Sequence, residues 1–240
     1  MKRLFFFTLS VAVTGGVACS GGGQDPGLVA AGDASTCDAR SGVDKVTCYP
    51  ALDVGINPRK GSVPGNRIQN YKFVGYPNDA SATKLDTSKG TSTVQLADNF
   101  DPKREKYSII ILNVAARWCG PCVQETNEIV GGISATYGAK KVVFVQAITE
   151  GLDYKAATLD DLNAWVAERG GNATTINFTS MLDPNQANLG AFFDRAAIPF
   201  NAVLDARSME ILYAGTGAPP DISAFLDKYL ALAASITPKP

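Results

Sequence analysis

Two cysteines, Cys119 and Cys122, stand with two residues between them in the run Trp118-Cys119-Gly120-Pro121-Cys122. A Cys-x-x-Cys pair at the start of a helix is built for thiol–disulfide exchange. The first sulfur meets unpaired backbone N–H groups and the positive end of the helix dipole, which favour its thiolate, the attacking species. The second sulfur lies close enough to reach back and resolve a mixed disulfide. In this reading Cys119 is the nucleophile and Cys122 the resolving thiol. The motif also makes half of a zinc site, but the 240-residue chain has no histidine and no second Cys-x-x-Cys, so no metal is expected. A purely structural disulfide is the other alternative. The exchange chemistry needs no cofactor beyond the two sulfurs.

Five cysteines are present: Cys19, Cys37, Cys48, Cys119 and Cys122. With the first set aside, the rest divide into two pairs, and Cys37 with Cys48 is the natural second bridge. Closing that short loop would contribute about 3 kcal/mol by restricting the unfolded chain. A redox relay through Cys37 and Cys48 is the alternative, although their spacing matches no redox motif. Lys2 and Arg3, an apolar run over 4–13 and small residues before Cys19 read as an export signal. Cys19-Ser20 followed by three glycines resembles a bacterial lipoprotein cleavage site, with Cys19 the acylated residue, although Gly16 stands where a larger aliphatic is usual. Gly16-Val17-Ala18 would also suit an ordinary signal peptidase and yield a soluble exported protein. The apolar run is shorter than the roughly 20 residues a membrane-spanning helix needs, so contact with a membrane is expected through the lipid anchor alone.

The elements that must position the cysteines follow from periodicity. A formal charge of -1, with 22 Lys plus Arg against 23 Asp plus Glu, excludes a broad basic field and with it nucleic-acid binding. Residues 1–18 read as the signal, 19–36 as a flexible tether, 37–66 as a loop-rich extension and 67–240 as one α/β domain. Short strands are expected at 71–76 and 93–97. The nearly continuous apolar run over 107–115 predicts a central strand buried on both faces. After the cysteines, Val123, Ile129, Val130, Ile133 and Tyr137 recur at helical spacing, with Gly131 and Gly132 weakening that helix. A strand over 142–148 makes a parallel strand-helix-strand unit. Further helices are predicted over 158–169, with Thr158 as N-cap and Leu159, Leu162, Trp165 and Val166 on one face, over 186–193 and over 221–233. A hairpin is expected from 201–205 and 210–215.

With these residues in view, the run Trp118 to Cys122 resembles the active site of thioredoxins, and Ile198-Pro199 falls about where that fold carries a cis-proline beside the disulfide. The resemblance spans about Arg67 to Pro240. It implies a thioredoxin-like α/β fold, a mixed sheet flanked by helices, here with an N-terminal β extension and an insertion after the strand-helix-strand unit. A cis Pro199 would leave the Ile198 backbone able to pair with a substrate strand; an ordinary turn proline is the alternative. Asn113 and Glu125, six residues before and after Cys119, resemble the pattern of envelope reductases of the TlpA and ResA type. A partly buried Glu125 could shuttle the resolving thiol's proton; the other reading is a surface acid in the first turn of a helix. Trp118, Gly120, Pro121, Asn113 and Ile198 would then support the site. The resemblance implies a tethered monomeric reductase on the periplasmic side of a bacterial envelope, acting on disulfide-containing envelope proteins and recharged by a membrane thiol donor. The direction of electron flow stays open. Stretches of 150–184 also resemble peroxiredoxins of the AhpC/TSA type, but the Pro-x-x-x-Thr-x-x-Cys setting of their reactive cysteine is absent before Cys119. A non-catalytic partner-binding lipoprotein is the alternative from another class. Arg117 is expected to be exposed and either idle, steering an acidic partner or adding to the stabilisation of the thiolate.

Overall fold

The computed structural model describes residues 64–78, 87–170, 178–191 and 197–236. Cys19, Cys37 and Cys48, with the signal, the tether and nearly all of the loop-rich extension, lie outside the described residues.

The strand β3 (Ile109–Ala115) is the axis of the structure, and all seven of its residues are buried. Its β-branched side chains suit a pleated surface covered on both faces, and each fully buried aliphatic contributes about 1.5–3 kcal/mol. Parallel to it runs β4 (Val142–Ile148), equally buried, and beyond that β5 (Phe178–Leu182). On the other side lie β6 (Phe200–Asp205) and β7 (Ile211–Thr216), joined as an antiparallel hairpin. Near the start of the described chain, β1 (Lys72–Tyr76) pairs antiparallel with both β5 and β2 (Ser92–Gln95). The seven-stranded order is β2-β1-β5-β4-β3-β6-β7.

One face of this sheet packs against the helices. Ile109, Ile111, Phe144 and Val203 meet Cys122, Ile129, Leu162, Trp165 and Leu226 there. Those residues come from α1 (Gly120–Glu128) and the wide turn after it, from α3 (Leu159–Trp165) and from α4 (Ile222–Ser235). On the opposite face Ile110, Leu112 and Val114 pack with Ile68, Phe73, Leu96 and Phe100 of the N-terminal segment. Among the described residues no helix is long and apolar enough to cross a membrane.

Several expectations need correction. The helix expected over the periodic residues Val123 to Tyr137 is interrupted: a π turn at Ile129–Ile133, holding both glycines, separates α1 from α2 (Ser134–Gly138). Residues 93–97 do not form one strand, since the backbone turns at Leu96–Asn99 into a 3-10 segment whose Ala97 N–H donates to Asn70 Oδ1. In place of a helix from Gln186 there are short 3-10 turns at Pro184–Gln186 and Leu189–Ala191; residues 192 and 193 lie outside the described residues. Helix is broken there because Asn185 and Gln186 have positive φ while the buried Asp183 carboxylate draws in the N–H groups of Asn188 and Leu189. Leu159, assigned to the buried face of α3, is exposed, although Thr158 does cap that helix, accepting from Asp161 N–H at 3.3 Å. Strand β5 was not anticipated at all.

Candidate active site

Cys119 sits where β3 ends and α1 begins. It is the N-cap of α1, and its Sγ accepts from the Cys122 N–H at 3.2 Å. Pro121, in the first turn, lacks a backbone N–H at a place where none is needed. The two cysteines are joined by a disulfide with Cα atoms 5.3 Å apart, and both are buried.

Antiparallel pairing of β3 with β6 brings a second segment to the same end of the sheet. Val114 lies opposite Phe200, so Pro199 falls across from Ala115, at the end of β3 that leads to Cys119. The Ile198–Pro199 peptide is cis, and the Ile198 side chain packs into the cluster that holds both cysteines. Pro199 C=O accepts from Gly217 N–H at 2.7 Å, whereas the Ile198 backbone has no backbone partner among the described residues.

Beneath the disulfide is a buried polar network. Glu125, one turn beyond Cys122 on α1, is 3% exposed. Its Oε2 accepts from Asn113 Nδ2 at 2.9 Å and its Oε1 from Asn201 Nδ2 at 2.8 Å. Burial pushes its carboxyl up from the ordinary 4.5 to about 7, against the pull of these two hydrogen bonds and with a small addition from Glu128. The reading of Glu125 as a surface acid is therefore excluded by its position under the sheet's helix face. Gln146 and Thr126 extend the network, and Thr126 Oγ1 donates to the Cys122 carbonyl at 2.8 Å.

The rim of the site is aromatic. Trp118, about one-third exposed, donates its indole N–H to Glu150 at 2.7 Å and stacks on Tyr154 with centroids 5.0 Å apart. Arg117 is neither exposed nor idle. Its guanidinium pairs with Asp161 at 3.1 Å and Glu168 at 3.0 Å, which ties the loop before Cys119 to α3 and removes it as a free steering charge.

The seven-stranded sheet with its flanking helices has counterparts among known structures. A protein of Chlorobium tepidum assigned as the thiol:disulfide interchange protein DsbE superposes with a TM-score of 0.50 at 20% identity, over 71% of this chain and 97% of that one. The fold is thioredoxin-like. A 2-Cys peroxiredoxin of Plasmodium vivax superposes with a TM-score of 0.50 at 12% identity, over 71% of this chain and 96% of that one. The mitochondrial 2-Cys peroxiredoxin of Plasmodium falciparum does so with a TM-score of 0.50 at 15% identity, over 74% and 100%. At these identities the likeness is one of fold. No family model and no curated protein matches the sequence.

The thioredoxin-like fold thus brings together Cys119, Cys122, Trp118, Asn113, Glu125, Ile198 and Pro199. Sequence reasoning missed Asn201, Gln146, Thr126 and Glu150. A signal for two of them exists: Gln146 and Asn201 are lone amides inside apolar strands, and a buried amide requires partners.

Proposed function

We propose that this protein is an exported thiol–disulfide oxidoreductase that reduces disulfides of envelope proteins. The observation that carries the reading is a Cys119–Cys122 disulfide capping α1 with a buried carboxyl, Glu125, one turn below it. In the reduced enzyme the Cys119 thiolate attacks a substrate disulfide, forming a mixed disulfide and releasing one substrate thiolate. Cys122 then passes its thiol proton to the Glu125 carboxylate and attacks the Cys119 sulfur. The substrate leaves as its second thiolate, takes up the proton and has gained two electrons, while the enzyme is left as the Cys119–Cys122 disulfide. A membrane thiol donor returns two electrons and one proton, restoring the Cys119 thiolate and the Cys122 thiol.

The Ile198 backbone, which has no backbone partner among the described residues, supports docking of substrate as an extended strand beside the disulfide. Trp118 supplies an apolar rim for it. Anchoring through an acylated Cys19, and a structural bridge between Cys37 and Cys48, belong to the same reading and rest on the sequence. The setting of Cys119 disfavours a peroxidase, because the residues from Leu112 to Trp118 offer neither the proline nor the threonine of that chemistry.

The test is insulin reduction with dithiothreitol by the purified protein. Activity is expected in the parent and its loss, by at least a hundredfold, in Cys119→Ser. A parent no faster than background would sink the reading. Cys122→Ser should trap substrates as mixed disulfides in cells, and alkylation of the cellular pool should find the Cys119–Cys122 pair reduced; a fully oxidised pool would reverse the assigned direction. Loss of palmitate labelling in Cys19→Ala checks the anchor.

A further inference from the structure

We propose that Trp165 and Gln146 are positioning residues that orient Glu125 through a one-way chain of side-chain amides. The inference rests on the reading of Glu125 as the proton acceptor for Cys122.

The chain starts at an indole, which can only donate. Trp165 Nε1–H donates to Gln146 Oε1 at 2.7 Å, so Gln146 must turn its NH2 group inward. That group donates to Thr126 Oγ1 at 2.7 Å and to Asn113 Oδ1 at 2.8 Å. With its oxygen engaged, Asn113 presents its own NH2 to Glu125 Oε2 at 2.9 Å and to Asn201 Oδ1 at 3.0 Å. Asn201 in turn presents its NH2 to Glu125 Oε1 at 2.8 Å and to the Gly217 carbonyl at 3.3 Å. Both hydrogens of each amide are engaged. Reversing any one of them would set N–H against N–H in a site without water contact, since all six side chains are buried.

The members come from α3, β4, β3, β6 and α1, and cross-strand register holds the three strands in place: Asn113 lies opposite both Gln146 and Asn201. Each end of the Glu125 carboxylate therefore receives one fixed N–H. Two donors and no acceptor favour the unprotonated carboxylate, so the chain offsets part of the burial that would otherwise keep Glu125 neutral and useless as a base. The groups that face Glu125 from β3 and β6 are uncharged amides. On its own helix stand the sulfur of Cys122 and, further out, the Glu128 carboxylate.

The experiment follows the Glu125 carboxyl carbon by NMR through a pH titration of the oxidised protein. Trp165→Phe and Gln146→Met should each raise its midpoint by about one pH unit, a tenfold change in proton affinity. Leu162→Ala, on the same helix but outside the chain, should destabilise the fold and leave the midpoint in place. Equal midpoints in the parent, Trp165→Phe and Gln146→Met would overturn the proposal. Where both variants fail to fold, the parent decides it. The NH2 signals of Gln146 and the indole signal of Trp165 should titrate with Glu125, and signals that stay flat would overturn it as well. The readout is independent of turnover. An unchanged exchange rate in Glu125→Gln would remove the proton-acceptor role and leave the orientation result standing by itself.

Discussion

Replacing Glu125 by glutamine should convert a pH-dependent fold into one that is nearly indifferent to pH between 5 and 8. The parent carboxyl is buried and its pKa rises from 4.5 to about 7 on folding. The folded state thus binds that proton more tightly than the unfolded chain does. The stability it contributes is fully present below the unfolded pKa and is lost as pH rises through the folded one. At about 1.4 kcal/mol for each pKa unit, the shift is worth roughly 3 kcal/mol in all, and about 2–3 kcal/mol of that falls between pH 5 and pH 8. Glutamine removes the ionisation but turns one NH2 against the N–H of Asn113 or Asn201, a mismatch that costs about 1–3 kcal/mol. The variant should therefore be somewhat less stable than the parent at pH 5 and as stable or more stable at pH 8. Urea unfolding of both oxidised proteins at the two pH values measures the difference directly. Parallel stability curves across that range would refute the argument, because they would mean that Glu125 titrates alike in the folded and unfolded states.

Three further substitutions probe the frame around the site. Gly75→Ala should cost about 1–3 kcal/mol in urea unfolding, because a Cβ there would stand 2.6 Å from the Ser180 carbonyl oxygen and 2.8 Å from Met181 Cα; an unchanged midpoint would show that β1 and β5 are less closely apposed. Thr158→Ala removes the N-cap of α3 and should lower Tm by a few degrees, for about 1 kcal/mol, while leaving insulin reduction intact. Tyr154→Ala uncovers one face of Trp118 and should increase acrylamide quenching of its emission, with stability changed by no more than about 0.5 kcal/mol; quenching equal to the parent's would mean the stack does not persist in solution.

Much of the frame could be read from the chain itself. The run of β-branched residues at Ile109 to Val114 can be satisfied by little except a strand covered on both faces, and the same holds for Val142 to Ile148. Thr158 was legible as a cap because its hydroxyl competes for nearby N–H groups. Strand β5 was not legible. Thr179 and Ser180 break its apolar run, yet both are buried where β5 lies between β1 and β4. The turns after Asp183 escaped for a related reason, since only a folded chain presents a carboxylate to backbone groups five and six residues on.

The redox couple is a local matter. Cys119, Pro121 and Cys122 need only the head of one helix to meet, and a spacing of three residues ensures it, so their pairing was already legible in the sequence. What Glu125 does was decided elsewhere. Spacing placed it one turn from Cys122 and left it equally suited to solvent or to the interior. Its burial, and the amide N–H on each of its oxygens, come from residues 12 and 76 positions away that only sheet pairing brings together. The reason is physical: a proton affinity depends on everything that surrounds a carboxylate, and for a buried group most of that arrives from other strands.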